Sequence, residues 1–197
     1  MFSIHTVWVR EHNRIAKIVE SLIGGSNDEK IYQIARKLVI SEWQNIVYSE
    51  WLPIILGPKV INIYGLEIST QINQYNYKVD PSVKNSFAAA AFRFGHTLLQ
   101  GLVDLYSKNG AATQTSQYKL RDNFLNTVLY LTGGGSTMEE MLKGQTVQPM
   151  QAYDEYATED VTNFLLRVPP QTFGSDLFAR NIQRGRDHGL PGYNEFR

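Results

Sequence analysis

An imidazole and a guanidinium stand three positions apart in Ala88-Ala-Ala-Ala-Phe-Arg93-Phe-Gly-His96-Thr-Leu. On a helix that spacing puts both on one face, where histidine can ligate a metal and arginine can pair with a carboxylate. A histidine beside apolar residues is on its own more often a core residue than a ligand. A second segment adds weight: Ala179-Arg-Asn181-Ile-Gln-Arg184-Gly-Arg-Asp-His188-Gly-Leu-Pro-Gly-Tyr193-Asn194 is densely polar. A ligating imidazole needs an acceptor on its other ring nitrogen to fix its tautomer, and the Asn181 carbonyl is a candidate. Metal ligand, acceptor and carboxylate clamp together suit one side of a haem site, with Arg93 toward a propionate and His96 toward the iron.

The elements that must position these residues are helical. Val9, Ile15, Ala16, Val19 and Leu22 recur at helical spacing from His5 to about Leu22, where Gly24-Gly25 ends the pattern. Asn27-Asp28 caps a second stripe, Ile31, Ile34, Ala35, Leu38 and Val39, running to about Val47. Trp51–Pro58 is a turn or brief helix broken by prolines, and residues 62–80 form a polar loop. Pro81 suits the first turn of a third helix, predicted to carry Arg93 and His96 and to run to about Leu105. Residues 107–118 follow as a loop. Helical patterns are also predicted for Leu120–Leu131, after Thr137-Met-Glu-Glu140, for Asp154–Leu166 and for Phe173–Gln183. Gly133-Gly-Gly135 lacks the Lys-Ser/Thr of a phosphate loop and is taken as a connection. No sustained strand alternation is present, so the fold class is all-α.

Nineteen basic residues balance nineteen acidic ones, which leaves no electrostatic footprint for nucleic acid. With 43% hydrophobic residues the chain can bury a core, while no apolar run approaches the ~20 residues that span a bilayer. Met1–Arg10 lacks the basic start of a signal peptide, and there is no cysteine.

Phe92-Arg-Phe-Gly-His-Thr-Leu98 and Asn181–Asn194 resemble, in order and separation, the proximal-histidine and signature stretches of the animal haem peroxidase family. Arg10-Glu-His-Asn-Arg14, Ile31–Lys37, Tyr48–Gly57 and Asp80-Pro81 are also similar to that family, particularly to invertebrate chorion-peroxidase-like and peroxinectin-like members. The resemblance implies a mainly helical haem peroxidase fold in which His96 is the axial iron ligand. It further implies Asn181 as the hydrogen-bond partner of His96, and Arg93 and Arg184 as propionate clamps. His12 and His188 would be structural, and His5 carries no assigned chemistry.

By the same resemblance the cofactor is haem b, the substrates are hydrogen peroxide and a phenolic, halide or similar reductant, and the setting is extracellular. The family's distal histidine and arginine, its haem-linking carboxylates and its calcium ligands would all lie upstream. Residues 1–197 are therefore expected to be a partial domain that lacks the distal N-terminal part and the C-terminal helices, and to be inactive alone. Alternatives are a non-catalytic adhesion or interaction protein and a fatty-acid oxygenase, for which Tyr75, Tyr77 and Tyr106 would be available radical donors.

Overall fold

The computed structural model describes residues 2–24, 27–68, 75–107, 109, 113–131 and 136–197; Gly25 and the Gly133–Gly135 connection lie outside them. The chain divides into two compact units, Met1–Val79 and Asp80–Arg197. Helix dominates both, in agreement with the all-α expectation.

In the first unit α1 (Phe2–Ile23) packs on α2 (Asp28–Ile46). The core between them is Ile15, Val19, Ile31 and Ala35, with Ala16, Ile34 and Val39 packed against it. Burying an isoleucine or valine is worth about 1.5–3 kcal/mol, so this short stripe sets the pairing of the two helices. Val9 and Leu22, which share its periodicity, are 60% and 77% exposed and lie beyond it. Asn27 caps α2 by accepting from the Lys30 amide at 2.9 Å, as its residue type implies. A wider π turn, Val47–Trp51, leads into α3 (Leu52–Ile63), which bends at Gly57. Glycine is required at that bend because its φ is +75°. The apolar segment with two prolines is thus helical on both sides of a kink.

The second unit departs from the sequence expectation where one long helix was predicted. The chain instead forms α4 (Asn85–Ala89), a 3₁₀ turn (Ala91–His96) and strand β1 (Leu102–Tyr106). Ala90, at φ −134° and ψ −68°, breaks the helix between the first two. β1 pairs antiparallel with β2 (Gln114–Lys119), in a stretch expected to be loop. A side chain supports the hairpin: Gln148 donates to the Leu102 carbonyl at 2.7 Å and accepts from the Asp104 amide at 3.1 Å. It occupies backbone groups that an edge strand would leave unpaired. Gln148 follows α6 (Ser136–Val147), which lies so close to β1 that a Cβ on Gly144 would fall 1.9 Å from the Asp104 carbonyl oxygen.

Regular helix between these elements is shorter than predicted. Leu120–Asp122 is a 3₁₀ turn and Val128–Leu131 a single turn, α5. Only Glu159–Thr162, α7, is helical within Asp154–Leu166, because Leu165 turns to bridge with Ser175. The last long element, α8 (Leu177–Asp187), starts later than Phe173 because Asp176 caps it, accepting from the Phe178 and Ala179 amides at 2.8 and 3.2 Å. Its end is a Schellman stop. The Leu190 amide donates to the Gly185 carbonyl at 2.9 Å and the Gly189 amide to that of Arg186 at 3.0 Å, with Gly189 at φ +65°. Half of the signature string is therefore a helix terminator leading to α9 (Tyr193–Phe196).

Candidate active site

The 3₁₀ turn and α8 carry the predicted site residues. In a 3₁₀ helix, side chains at i and i+3 eclipse, so Arg93 and His96 superpose more closely than on the α-helix expected for them. Asn181 occupies the middle of α8, a position where asparagine costs about 0.6 kcal/mol relative to alanine and brings no local benefit. Its contacts are long-range. Asn181 Nδ2 lies 2.8 Å from His96 Nδ1, while Arg93 Nη1 donates to Asn181 Oδ1 at 3.1 Å. One amide thus joins the two side chains of the turn.

The amide polarity differs from the sequence expectation that the carbonyl would face His96. A guanidinium can only donate, so Arg93 takes the carbonyl and leaves the N–H end for the imidazole.

A parallel tie holds the same two segments together. Asn85 at the start of α4 donates from Nδ2 to the His188 carbonyl at 3.0 Å, and its Oδ1 lies 2.7 Å from His188 Nδ1. His188 therefore fixes the end of α8 to α4. The edge of Phe178 meets His96 with ring centroids 6.4 Å apart at 89°. Asn85 and Phe178 went unnoticed in the sequence. Phe178 had a signal, since it lies one turn before Asn181; Asn85 had none, because its partner is 103 residues away.

Two groups at the site have unused capacity. Arg93 Nε is buried without a hydrogen-bond partner, and no described residue engages His96 Nε2. Burial first, and repulsion from Arg93 second, hold the His96 pKa below its ordinary value, so the ring is neutral at neutral pH. Arg184 lies one turn beyond Asn181 on α8, but its side chain is exposed and contacts none of the other three. Among the described residues no cluster of His, Cys, Asp or Glu could hold a bare metal ion. A neutral imidazole with an under-used guanidinium fits a metal that brings its own equatorial ligands and carboxylates, as haem does.

His12 is elsewhere, in the first unit, its ring 5.3 Å from that of Tyr32; His5 is exposed on α1.

Comparison with known proteins gives this arrangement its context. The family model for animal haem peroxidases matches residues 1–197. The chain belongs to the animal haem peroxidase family. It is 34% identical to chorion peroxidase of Drosophila melanogaster, covering 100% of this chain and 24% of that protein. It is also 34% identical to peroxinectin A of Dictyostelium discoideum, covering 100% of this chain and 34% of the relative. Among solved structures it is similar to peroxidase A of Dictyostelium discoideum, with a TM-score of 0.80 and 33% identity over 98% of this chain and 34% of that one. This family member thus spans about a third or less of the relatives it matches. The described part of its fold follows that of a peroxidase, and no described helix is long and apolar enough to cross a membrane.

Proposed function

We propose that this chain supplies the axial side of the haem site in a peroxidase that reduces hydrogen peroxide and oxidises a small phenolic, halide or similar donor. The observation that carries the reading is the Asn181 amide joined at once to His96 and Arg93. His96 would hold the iron through Nε2, Asn181 would orient the ring through Nδ1, and Arg93 and Arg184 would hold the propionates. The buried Nε of Arg93 supports that role, because a carboxylate would satisfy it. When bound, haem supplies the redox chemistry with peroxide.

The contribution of the chain's own residues is to hold and to tune. A neutral amide beside the imidazole leaves it a weaker electron donor than a carboxylate would, which favours a comparatively high iron potential. Low His96 basicity keeps the ring available for ligation in mildly acidic media. An extracellular setting is in keeping with a relative named chorion peroxidase.

Titrating the chain with haemin tests the proposal. A Soret band with an axial-imidazole ligand spectrum is expected for the wild type and its loss for His96→Ala; an unchanged spectrum in that variant would refute the assignment. Peroxide turnover above that of free haemin would mean that the chain also supplies the positioned proton carrier and cation that O–O cleavage needs.

A further inference from the structure

We propose, resting on the haem reading above, that Tyr153 is a surface relay through which protein-bound phenols too large to reach the haem give up electrons to it. A strap, residues 148–153, runs antiparallel along the segment that follows His96. Gln148 bonds to Leu102 and Asp104, and Gln100 Nε2 donates to the Pro149 carbonyl at 2.8 Å. Gln151 donates from its backbone amide to the Leu98 carbonyl at 3.0 Å and from Nε2 to Gln100 Oε1 at 2.7 Å. Each step toward residue 153 thus moves the contact back toward the 3₁₀ turn. The last step is a ring contact, in which Tyr153 meets Phe94 with centroids 5.8 Å apart at 77°.

Phe94 lies in the turn, two residues before His96. At the 3₁₀ rise of about 2 Å per residue, the two are only about 4 Å apart along its axis. Packing alone does not account for Tyr153, because it is 72% exposed and its hydroxyl has no partner among the described residues. A ring against Phe94 with its hydroxyl in water suits a phenol that loses an electron inward and a proton outward. On oxidation the proton passes from the hydroxyl to water and the electron passes toward the haem site across Phe94. The Tyr153 radical then takes a hydrogen atom from a tyrosine on another polypeptide and is restored. Two tyrosyl radicals so formed join through a carbon–carbon bond. Hydrogen peroxide is the oxidant, and the balance closes: two tyrosines and one peroxide give one dityrosine and two waters.

Tyr156 supplies an internal control. It stands three residues further on and is also 72% exposed, but makes no ring contact with any described residue. Exposure is therefore equal, and contact with the turn of His96 is what differs. Fluorine-19 NMR of the chain carrying 3-fluorotyrosine reads this without any turnover, with Tyr153→Phe and Tyr156→Phe assigning the two signals. Haemin, whose ferric iron is paramagnetic, should broaden the Tyr153 signal away and leave that of Tyr156 visible. Zinc protoporphyrin, which is diamagnetic, should leave both. Loss of both signals with haemin, or survival of both, overturns the relay.

Adding peroxide to the haemin-loaded chain tests the chemistry. With no other phenol present, mass spectrometry should find two copies linked through Tyr153 and not through Tyr156. A Glu-Tyr copolymer should suppress that link and acquire dityrosine in its place; Tyr153→Phe should lose both products, and Tyr156→Phe neither. Links spread over exposed tyrosines regardless of contact, or a copolymer cross-linked as well by Tyr153→Phe as by the wild type, overturn the proposal. Failure of these tests with a normal Soret band removes the relay alone, whereas absence of the band removes the haem reading and the relay with it.

Discussion

Two arginines of the second unit, Arg121 and Arg93, are held in opposite ways. Arg121 contacts Asp160 from Nε and Nη2 at 3.1 and 3.2 Å, and Glu159 from Nη2 at 3.1 Å, while its plane stacks over Phe164 at 4.2 Å. Asp160, only 6% exposed at its side chain, also accepts the Arg121 amide at 2.7 Å and the Thr158 hydroxyl at 3.0 Å. Burial alone would raise the Asp160 pKa, but these hydrogen bonds outweigh it and hold the carboxyl below its ordinary range. Gly101 completes the enclosure, since a Cβ there would lie 2.4 Å from Thr158 Oγ1. Arg93, by contrast, makes one side-chain hydrogen bond and buries a donor unmatched. Buried polar groups in folded proteins are nearly always satisfied, so a saturated cluster reads as architecture and an unsaturated one as a place for a ligand.

The contrast is sharpest in a pair of substitutions that should separate stability from binding. Arg121→Ala leaves Asp160 as a buried carboxylate without its cation, and should destabilise the second unit by about 3–5 kcal/mol in urea unfolding. Asp160→Ala should act in the same direction by less, because Arg121 is partly exposed and can turn to water. Arg93→Ala should lower stability by about 1 kcal/mol or less, the worth of one hydrogen bond. If both arginines prove equally costly to folding, the division between architecture and site is wrong.

Haem retention should reverse that order. On the proposed reading Arg93→Ala and Arg184→Ala would each remove a charge-assisted contact to a propionate, so haemin affinity should fall by roughly one to two decades for each. Normal occupancy in the double variant would leave both arginines with structural roles alone. Arg184, exposed and without a side-chain partner among the described residues, makes the more demanding test.

How much of this contrast is visible in the sequence depends on which contacts are local. His96, Arg93 and Asn181 could be singled out because each stands in a string of distinctive composition, and the Asn27 cap and the Gly189 helix stop follow from residue type. The β hairpin could not. Leu102–Tyr106 is a short apolar run that periodicity assigns equally to helix or strand, and Gln114–Lys119 is polar enough to pass for loop. What makes them strands is mutual pairing and the Gln148 side chain, both remote in sequence. The Asn181 amide polarity was hidden for a related reason: it is dictated by Arg93 from another element, and a carbonyl toward His96 is what local reasoning supplies. Arg121 drew no attention, since a saturated arginine looks like any other until its partners are known.

A substitution at Asn181 tunes the site without emptying it. Asn181→Asp replaces the neutral amide beside the imidazole by a charged acceptor, and a charge-assisted hydrogen bond is worth about 1 kcal/mol more than a neutral one. Stabilising the more positive imidazole–iron unit by that amount should lower the haem reduction potential by roughly 40 mV, as one-electron potentials change by 59 mV per 1.4 kcal/mol. Spectroelectrochemical titration would read it; a potential that rises or stays put would mean that Asn181 does not act on the axial ligand.

The two regions should finally differ in the pH window where each contributes to stability. His96 is held below its ordinary pKa of about 6.5, chiefly by burial, so between that value and its lower folded value the unfolded chain binds a proton that the folded chain does not. Its contribution is therefore complete above about pH 6.5 and is lost as the pH falls toward the folded pKa. Asp160 is also lowered, and the sign is the same, but its window opens only below about pH 3.8, the ordinary carboxyl value. Urea unfolding of the haem-free chain across these ranges should show a shallow decline beginning near pH 6.5 and a steeper one at lower pH. His96→Gln should abolish the first and spare the second, because glutamine does not titrate and the Asp160 cluster lies outside the 3₁₀ turn. A decline near pH 6 that persists undiminished in His96→Gln would place the responsible group elsewhere and remove the burial argument for a neutral ring at the candidate site.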